Sequence, residues 1–296
     1  MRLPPVPRRV LLWTGAALVA LLVIGVAGQT ALRVLGVSLN RTTPAALSAL
    51  LRPGYGLRLP EGEGPFPTAL LASGCDGPKD NLETWADTLN DIGWAAIIVD
   101  SHGPRGYDAD PTWRLVCTGA MLPGGARAGD LAVALADARA MPFVDPDRLA
   151  LIGASHGGWA VLDLLALADL GRRPENLTRW PDAPGDDPLA GVVAVAAIYP
   201  YCGEATRIKR AGWSRDVPVL LVLVDNDSVT DESDCLELAQ RAQSQGRPVT
   251  VDVIPNVTHG FDQKDKAFPS TLHYDSGATE RLMTGFRRFF AKPVEG

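Results

Sequence analysis

The stretch Leu149-Ala150-Leu151-Ile152-Gly153-Ala154-Ser155-His156-Gly157-Gly158 is an apolar run that ends in G-x-S-x-G and passes into a second, largely apolar run over 159–167. An apolar run, then a serine between glycines, then a longer apolar run read as a strand, a sharp turn and a helix. Glycine at 153 and 157 leaves no Cβ where a tight turn brings backbones together. The turn pushes the Ser155 hydroxyl outward. With 30 glycines in 296 residues, the bare pattern would arise by chance in about one such chain in ten. Its surroundings must carry the reading.

Those surroundings alternate. Strands are expected at 68–72, 95–99, 149–152, 192–196, 219–224 and 249–253, and helices at 82–92, 128–141, 159–170, 235–243 and 278–290. Continuous apolar strands separated by amphipathic segments give an α/β class, a mostly parallel central sheet with helices on both faces. The stretch 102–125 is expected to be irregular. The polar, proline-bearing segment 171–187 reads as a surface loop or partial lid.

The formal net charge is −6, and lysine and arginine form no cluster beyond pairs such as Arg8-Arg9. That argues against a nucleic-acid partner. Arg2, Arg8 and Arg9 precede Val10 to Gly28, a run without any charge. As a helix it would span about 28 Å, close to the roughly 30 Å hydrocarbon core of a bilayer. It reads as a transmembrane signal anchor with the bulk of the chain extracytoplasmic, periplasmic or extracellular. Small residues at Val26-Ala27-Gly28 leave cleavage and secretion open. The expected organisation is a basic stub and transmembrane or signal segment over 1–33, a proline-rich tether and edge hairpin over 34–61, and a catalytic domain over 62–293. Four cysteines, Cys75, Cys117, Cys202 and Cys235, are an even number in a chain that leaves the reducing cytoplasm, which points to disulfides. None has the spacing of a metal site.

A serine hydroxyl needs a base to take its proton and an acid to hold that base. Of the four histidines, His156 sits inside the turn, and His102 and His273 lie in polar loops. His259 follows the strand at 249–253, in Pro255-Asn256-Val257-Thr258-His259-Gly260-Phe261-Asp262, and is the expected base. Between Ser155 and His259, the strand at 219–224 empties into Asp225-Asn226-Asp227-Ser228. Asp227 or Asp225 is the expected acid, with Asp231 as a third choice. The order Ser, Asp, His is that of α/β-hydrolases. Arg105 could clamp an anionic substrate, but is expected to pair with Asp100, Asp108 or Asp110 in its own loop. Trp113 and Tyr107 read as cover for the sheet edge.

Several segments together resemble the dienelactone hydrolase family: 60–67, Ser73-Gly74-Cys75-Asp76-Gly77, Asp100-Ser101 with Pro104-Arg105-Gly106, 153–158, and His259-Gly260-Phe261-Asp262. The resemblance implies an α/β-hydrolase fold and hydrolysis of a small-molecule ester without a cofactor. It implies that the backbone N–H groups of Cys75 and His156 form the oxyanion hole, and that Asp227 is the acid. It also implies the pairings Cys75 with Cys117 and Cys202 with Cys235. Three positions depart from the family pattern, one of them Val224, which stands where a glycine often follows the acid-bearing strand and so leaves Asp227 as the matching acid. Ser155 stands where the namesake enzymes use cysteine, which favours general esterase chemistry. Ser73 replaces a histidine that usually supports the oxyanion loop, which leaves open an oxyanion hole held differently and a reduced activity. The expected function is a serine carboxylic-ester hydrolase acting through an acyl-enzyme, the alternatives being a peptidase or acyltransferase on the same residues, or a non-catalytic binding module.

Overall fold

Residues alternating along a strand face opposite sides of a sheet, and here both sides are buried. The computed structural model describes residues 13–21, 23–25, 28, 41–108, 112–266 and 270–291. Its strands are β1 (Tyr55–Arg58), β2 (Phe66–Ala72), β3 (Ala95–Val99), β4 (Val144–Ala154), β5 (Val192–Ile198), β6 (Val219–Val224) and β7 (Val249–Ile254). They form one sheet in the order β1-β3-β2-β4-β5-β6-β7. All pairs are parallel except β1 with β3.

The helices are α1 (Pro44–Leu51), α2 (Asp80–Asn90), α3 (Thr112–Cys117), α4 (Gly124–Arg139), α5 (His156–Asp169), α6 (Ile208–Ala211), α7 (Glu232–Ser244) and α8 (Ser276–Phe290). Leu70, Ile97, Leu151, Val195 and Leu221 pack with α4, α5 and α7 on one face. Leu71, Ile98, Ile152, Ala196 and Val222 pack with α2 and α8 on the other. Each such leucine, isoleucine or valine contributes about 1.5–3 kcal/mol by leaving water, so the inner strands β2 to β6 are held from both sides. The loops at the carboxyl ends of β2, β4, β6 and β7 then meet at one edge.

The chain divides between Asn40 and Arg41. Of the run 10–28, residues 13–21, 23–25 and 28 are helical, while 10–12, 22 and 26–27 lie outside the described residues, as do 1–9 and 29–40. No helix among the described residues is long and apolar enough to cross a membrane.

The expected edge hairpin within 34–61 is corrected. Residues Pro44–Leu51 form a helix that starts at the Thr43 cap, whose Oγ1 accepts from the Ala46 N–H at 3.2 Å. Proline at the first helical position has no N–H to lose and a backbone angle already suited to the helix. β1 pairs with β3 across the chain, so the sheet-bearing unit starts at Arg41, ahead of the expected residue 62. The segment expected to be irregular holds α3, and α4 begins at Gly124. The segment 171–187 buries Leu177 against Leu47, Leu51 and Val133, and none of its residues lines the cavity at Ser155.

Candidate active site

The turn between β4 and α5 needs glycine on both sides of Ser155. A Cβ on Gly153 would lie 2.3 Å from the Gly157 carbonyl oxygen, and one on Gly157 would lie 2.4 Å from that of Ala72. Ser155 itself has φ 51° and ψ −113°, a sparsely populated conformation for a residue with a side chain. Its N–H donates to the Ile198 carbonyl at 2.8 Å, which anchors the turn to β5.

Two further loops close on that hydroxyl. His259, after β7, brings Nε2 to 2.9 Å from Ser155 Oγ. Its Nδ1 lies 2.7 Å from Asp227 Oδ2, after β6. Burial alone would raise the Asp227 carboxyl. Hydrogen bonds from His259, the Val229 N–H and the Thr230 hydroxyl outweigh burial and hold it below the ordinary carboxylate value. An ionised Asp227 accepts only, so Nδ1 carries the proton and Nε2 is left to accept from the serine. Asp225 is exposed. Asp231 caps α7 by accepting from the Ser233 N–H. Of the three candidate acids, the structure brings Asp227 to His259.

The other side of Ser155 is the loop after β2. Cys75 and His156 both line the cavity, and a disulfide joins Cys75 to Cys117 at the end of α3. A second joins Cys202, after β5, to Cys235 of α7. His102 is buried and donates from Nε2 to the Cys75 carbonyl at 3.0 Å. Burial, helped by Arg127, lowers it to about 3, so the ring is neutral. Arg127, on α4, is 1% exposed and donates to the Ser73 carbonyl at 2.9 Å and to Ser73 Oγ at 3.2 Å. Those bonds hold the loop that carries Ser73 and Cys75.

Sequence reasoning missed Arg127. It and Asp130 are the sole charged residues of 124–136, a run of glycine, alanine, leucine and valine, and charges so placed on an otherwise apolar helix signal side chains that turn inward to separate polar partners. It also missed Tyr199, whose ring meets His259 edge-on with centroids 4.6 Å apart. The Tyr199 hydroxyl donates to Asp262 Oδ1 at 2.6 Å, and Trp85 Nε1 donates to Asp262 Oδ2 at 2.8 Å. Asp262 therefore ties the His259 loop to α2 and β5.

A cavity of about 560 Å³ opens over Ser155, walled by Trp113, Trp159, Tyr201, Val229, Lys266 and Leu272 among others. Trp113 thus belongs to the site and not to the sheet edge. Its helix, α3, is brought there by the Cys75–Cys117 bridge. Trp159 is fixed by its indole N–H to Asp163 at 2.8 Å and lies so close to Gly124 that a Cβ there would meet the indole at 2.4 Å. Arg105 takes a bidentate partner outside its own loop, Asp130 of α4, at 2.8 and 2.9 Å. His273 is exposed. Among the described residues no group of histidine, cysteine, aspartate and glutamate is arranged to hold a metal ion.

Residues 187–293 match the Dienelactone hydrolase family model. That match takes in Asp227 and His259. The chain is 24% identical to the acylamino-acid-releasing enzyme of Arabidopsis thaliana, with 62% of this chain aligned to 26% of that protein. It thus spans about a quarter of the length of that curated relative. Among solved structures it is similar to a dienelactone hydrolase-like promiscuous phosphotriesterase from metagenomic libraries, at 18% identity and TM-score 0.60 over 80% of this chain and 98% of that one. It is also similar to Thermogutta terrifontis esterase 2, at 14% identity and TM-score 0.57 over 79% of this chain and 87% of that one. These likenesses show an α/β-hydrolase-like fold with a mostly parallel sheet. The matched family and the structural neighbours are esterases and related hydrolases, consistent with an ester-bond hydrolase.

Proposed function

We propose that the protein is a serine carboxylic-ester hydrolase. The observation that carries this reading is the line from Ser155 Oγ to His259 Nε2 at 2.9 Å and from His259 Nδ1 to Asp227 at 2.7 Å, with the serine on a strained turn at the mouth of a cavity. Ser155 Oγ attacks the acyl carbon while His259 Nε2 takes its proton, and Asp227 stabilises the imidazolium that forms. The carbonyl oxygen becomes an anion facing the N–H groups of Cys75 and His156. His259 returns the proton to the departing alcohol, leaving an acyl-enzyme, and a water activated by the same imidazole then releases the acid.

The charge-free run Val10 to Gly28 behind three arginines, together with two disulfides, supports an exported protein tethered or targeted by its N-terminus. Protease added to intact spheroplasts should then digest the hydrolase domain; full protection would count against export. A peptidase reading on the same residues has one finding in its favour, the likeness to an acylamino-acid-releasing enzyme. Hydrolysis of acetylated aminoacyl anilides faster than of simple esters would select it.

The deciding experiment is Ser155→Ala assayed on short p-nitrophenyl esters. Turnover should drop by about 10⁴-fold or more with little change in Tm. Retained turnover would remove the assignment.

A further inference from the structure

The geometry points to Arg127 as the positioning residue of the oxyanion side, a buried cation that aims and polarises the Cys75 N–H. This rests on the reading of Ser155 as an acyl-transfer nucleophile. Arg127 does not line the cavity and touches no substrate. What it touches is the backbone and side-chain framework of both proposed N–H donors.

A single guanidinium nitrogen, Nη1, donates to the Ser73 carbonyl at 2.9 Å and to the Gly74 carbonyl at 3.3 Å, and lies 3.3 Å from His156 Nδ1. The Gly74 carbonyl and the Cys75 N–H belong to one peptide group. In a trans peptide they point in opposite directions, so a cation that holds the carbonyl turns the N–H away from itself. Withdrawing electron density at that oxygen also strengthens the N–H as a donor, as in any chain of hydrogen bonds. The contact to Nδ1 acts on the second donor residue. An arginine has only donors, so Nδ1 accepts and the ring is neutral. Burial first, then Arg127, keeps His156 well below its ordinary value.

The charge is unusual. Each of these bonds goes to a neutral acceptor, and among the described residues no carboxylate forms a salt bridge with Arg127. The nearby Asp130 is taken bidentately by Arg105. Burial pulls the guanidinium down to about 10, which still leaves it a cation at neutral pH. No carboxylate among the described residues touches the guanidinium, and it stays charged through the more distant fields of Asp130, Asp100 and Asp76. An oxyanion that forms one peptide group away would meet this charge already in place, an attraction that exists only in the transition state and so favours turnover and not binding.

The test compares Arg127→Gln, which keeps donors and removes the charge, with Arg127→Lys, which keeps the charge. Readouts are kcat and KM on a p-nitrophenyl ester, and the inhibition constant of a trifluoromethyl ketone that forms a tetrahedral adduct with the serine. In Arg127→Gln, kcat should fall by about 100-fold with KM within about threefold, and the ketone should weaken by a similar factor. Arg127→Lys should stay within about tenfold of the parent but below it, with kcat and ketone affinity falling together. A folded Arg127→Gln with parental kcat, or a loss confined to KM, would overturn the proposal. If Arg127→Gln does not fold, Arg127→Lys decides, and a parental kcat and ketone affinity in that variant would overturn it. Fluorophosphonate labelling of the parent protein is run alongside. A parent that does not label overturns the nucleophile reading, and the role of Arg127 falls with it.

Discussion

The two sides of Ser155 are built from opposite charges. On the His259 side lies a buried carboxylate, Asp227, kept ionised against burial by its hydrogen bonds. On the Cys75 side lies a buried guanidinium, Arg127, beside two histidines, His102 and His156, that burial keeps neutral. The proposed acyl transfer from Ser155 would create an imidazolium on the first side and an oxyanion on the second. The fold supplies a fixed charge of opposite sign behind each, in place before the reaction, which is the arrangement that costs no reorganisation as charge separates. The difference lies in how directly each acts. Asp227 bonds the imidazole itself, whereas Arg127 works through a peptide group.

That asymmetry predicts the ranking of losses. Asp227→Asn should be the larger, about 10⁴-fold in kcat, because it removes the orienting acceptor and selects the wrong imidazole tautomer. Steady-state kinetics with Tm as a control checks it, and a loss no greater than that of Arg127→Gln would break the comparison. A smaller effect separates the two bridges. The Cys75→Ala/Cys117→Ala and Cys202→Ala/Cys235→Ala pairs should each cost about 2–4 kcal/mol of stability in denaturant melts. Only the first pair should also lower kcat, because only Cys75 lies in the loop facing the proposed oxyanion. Equal kcat in both would show that the loop needs no tether.

Much of this was legible in the sequence. β3 and β6 fall on the apolar runs expected for them, because a strand buried on both faces leaves an uninterrupted run whose ends are marked by polar turns. The convergence of Ser155, Asp227 and His259 was legible for a related reason: Ser155 and Asp227 follow such strands, His259 follows the half-buried β7, and the sheet fixes where strand ends go. The residues alone left Asp227 and Asp225 open and the resemblance selected Asp227; the turn supplies the physical reason, since Asp225 stays in solvent while Asp227 folds back onto His259. Helix α1 was hidden because Pro44 reads as a breaker away from its cap. Arg127, Tyr199 and Trp113 were hidden because their roles come from contacts with residues tens of positions away, which no local pattern records.

The smallest expected effect concerns the wall beside His156. Asp163 accepts the Trp159 indole N–H, and burial lifts its carboxyl to about 7. A carboxyl raised in the native state binds its proton more tightly there than in the unfolded chain, so this group costs stability as pH climbs from about 4 to about 7. Asp163→Asn does not titrate. The Tm difference between parent and variant should therefore swing toward the variant between about pH 5 and about pH 8, and a difference independent of pH would mean that Asp163 is not raised.

The most direct measurement is the site of covalent capture. The intact protein is treated with a fluorophosphonate at neutral pH and digested, and the adduct is located by mass spectrometry. One phosphonyl group is expected, on Ser155, formed far more slowly in Asp227→Asn. No adduct, or an adduct on another residue, would contradict the assignment of Ser155.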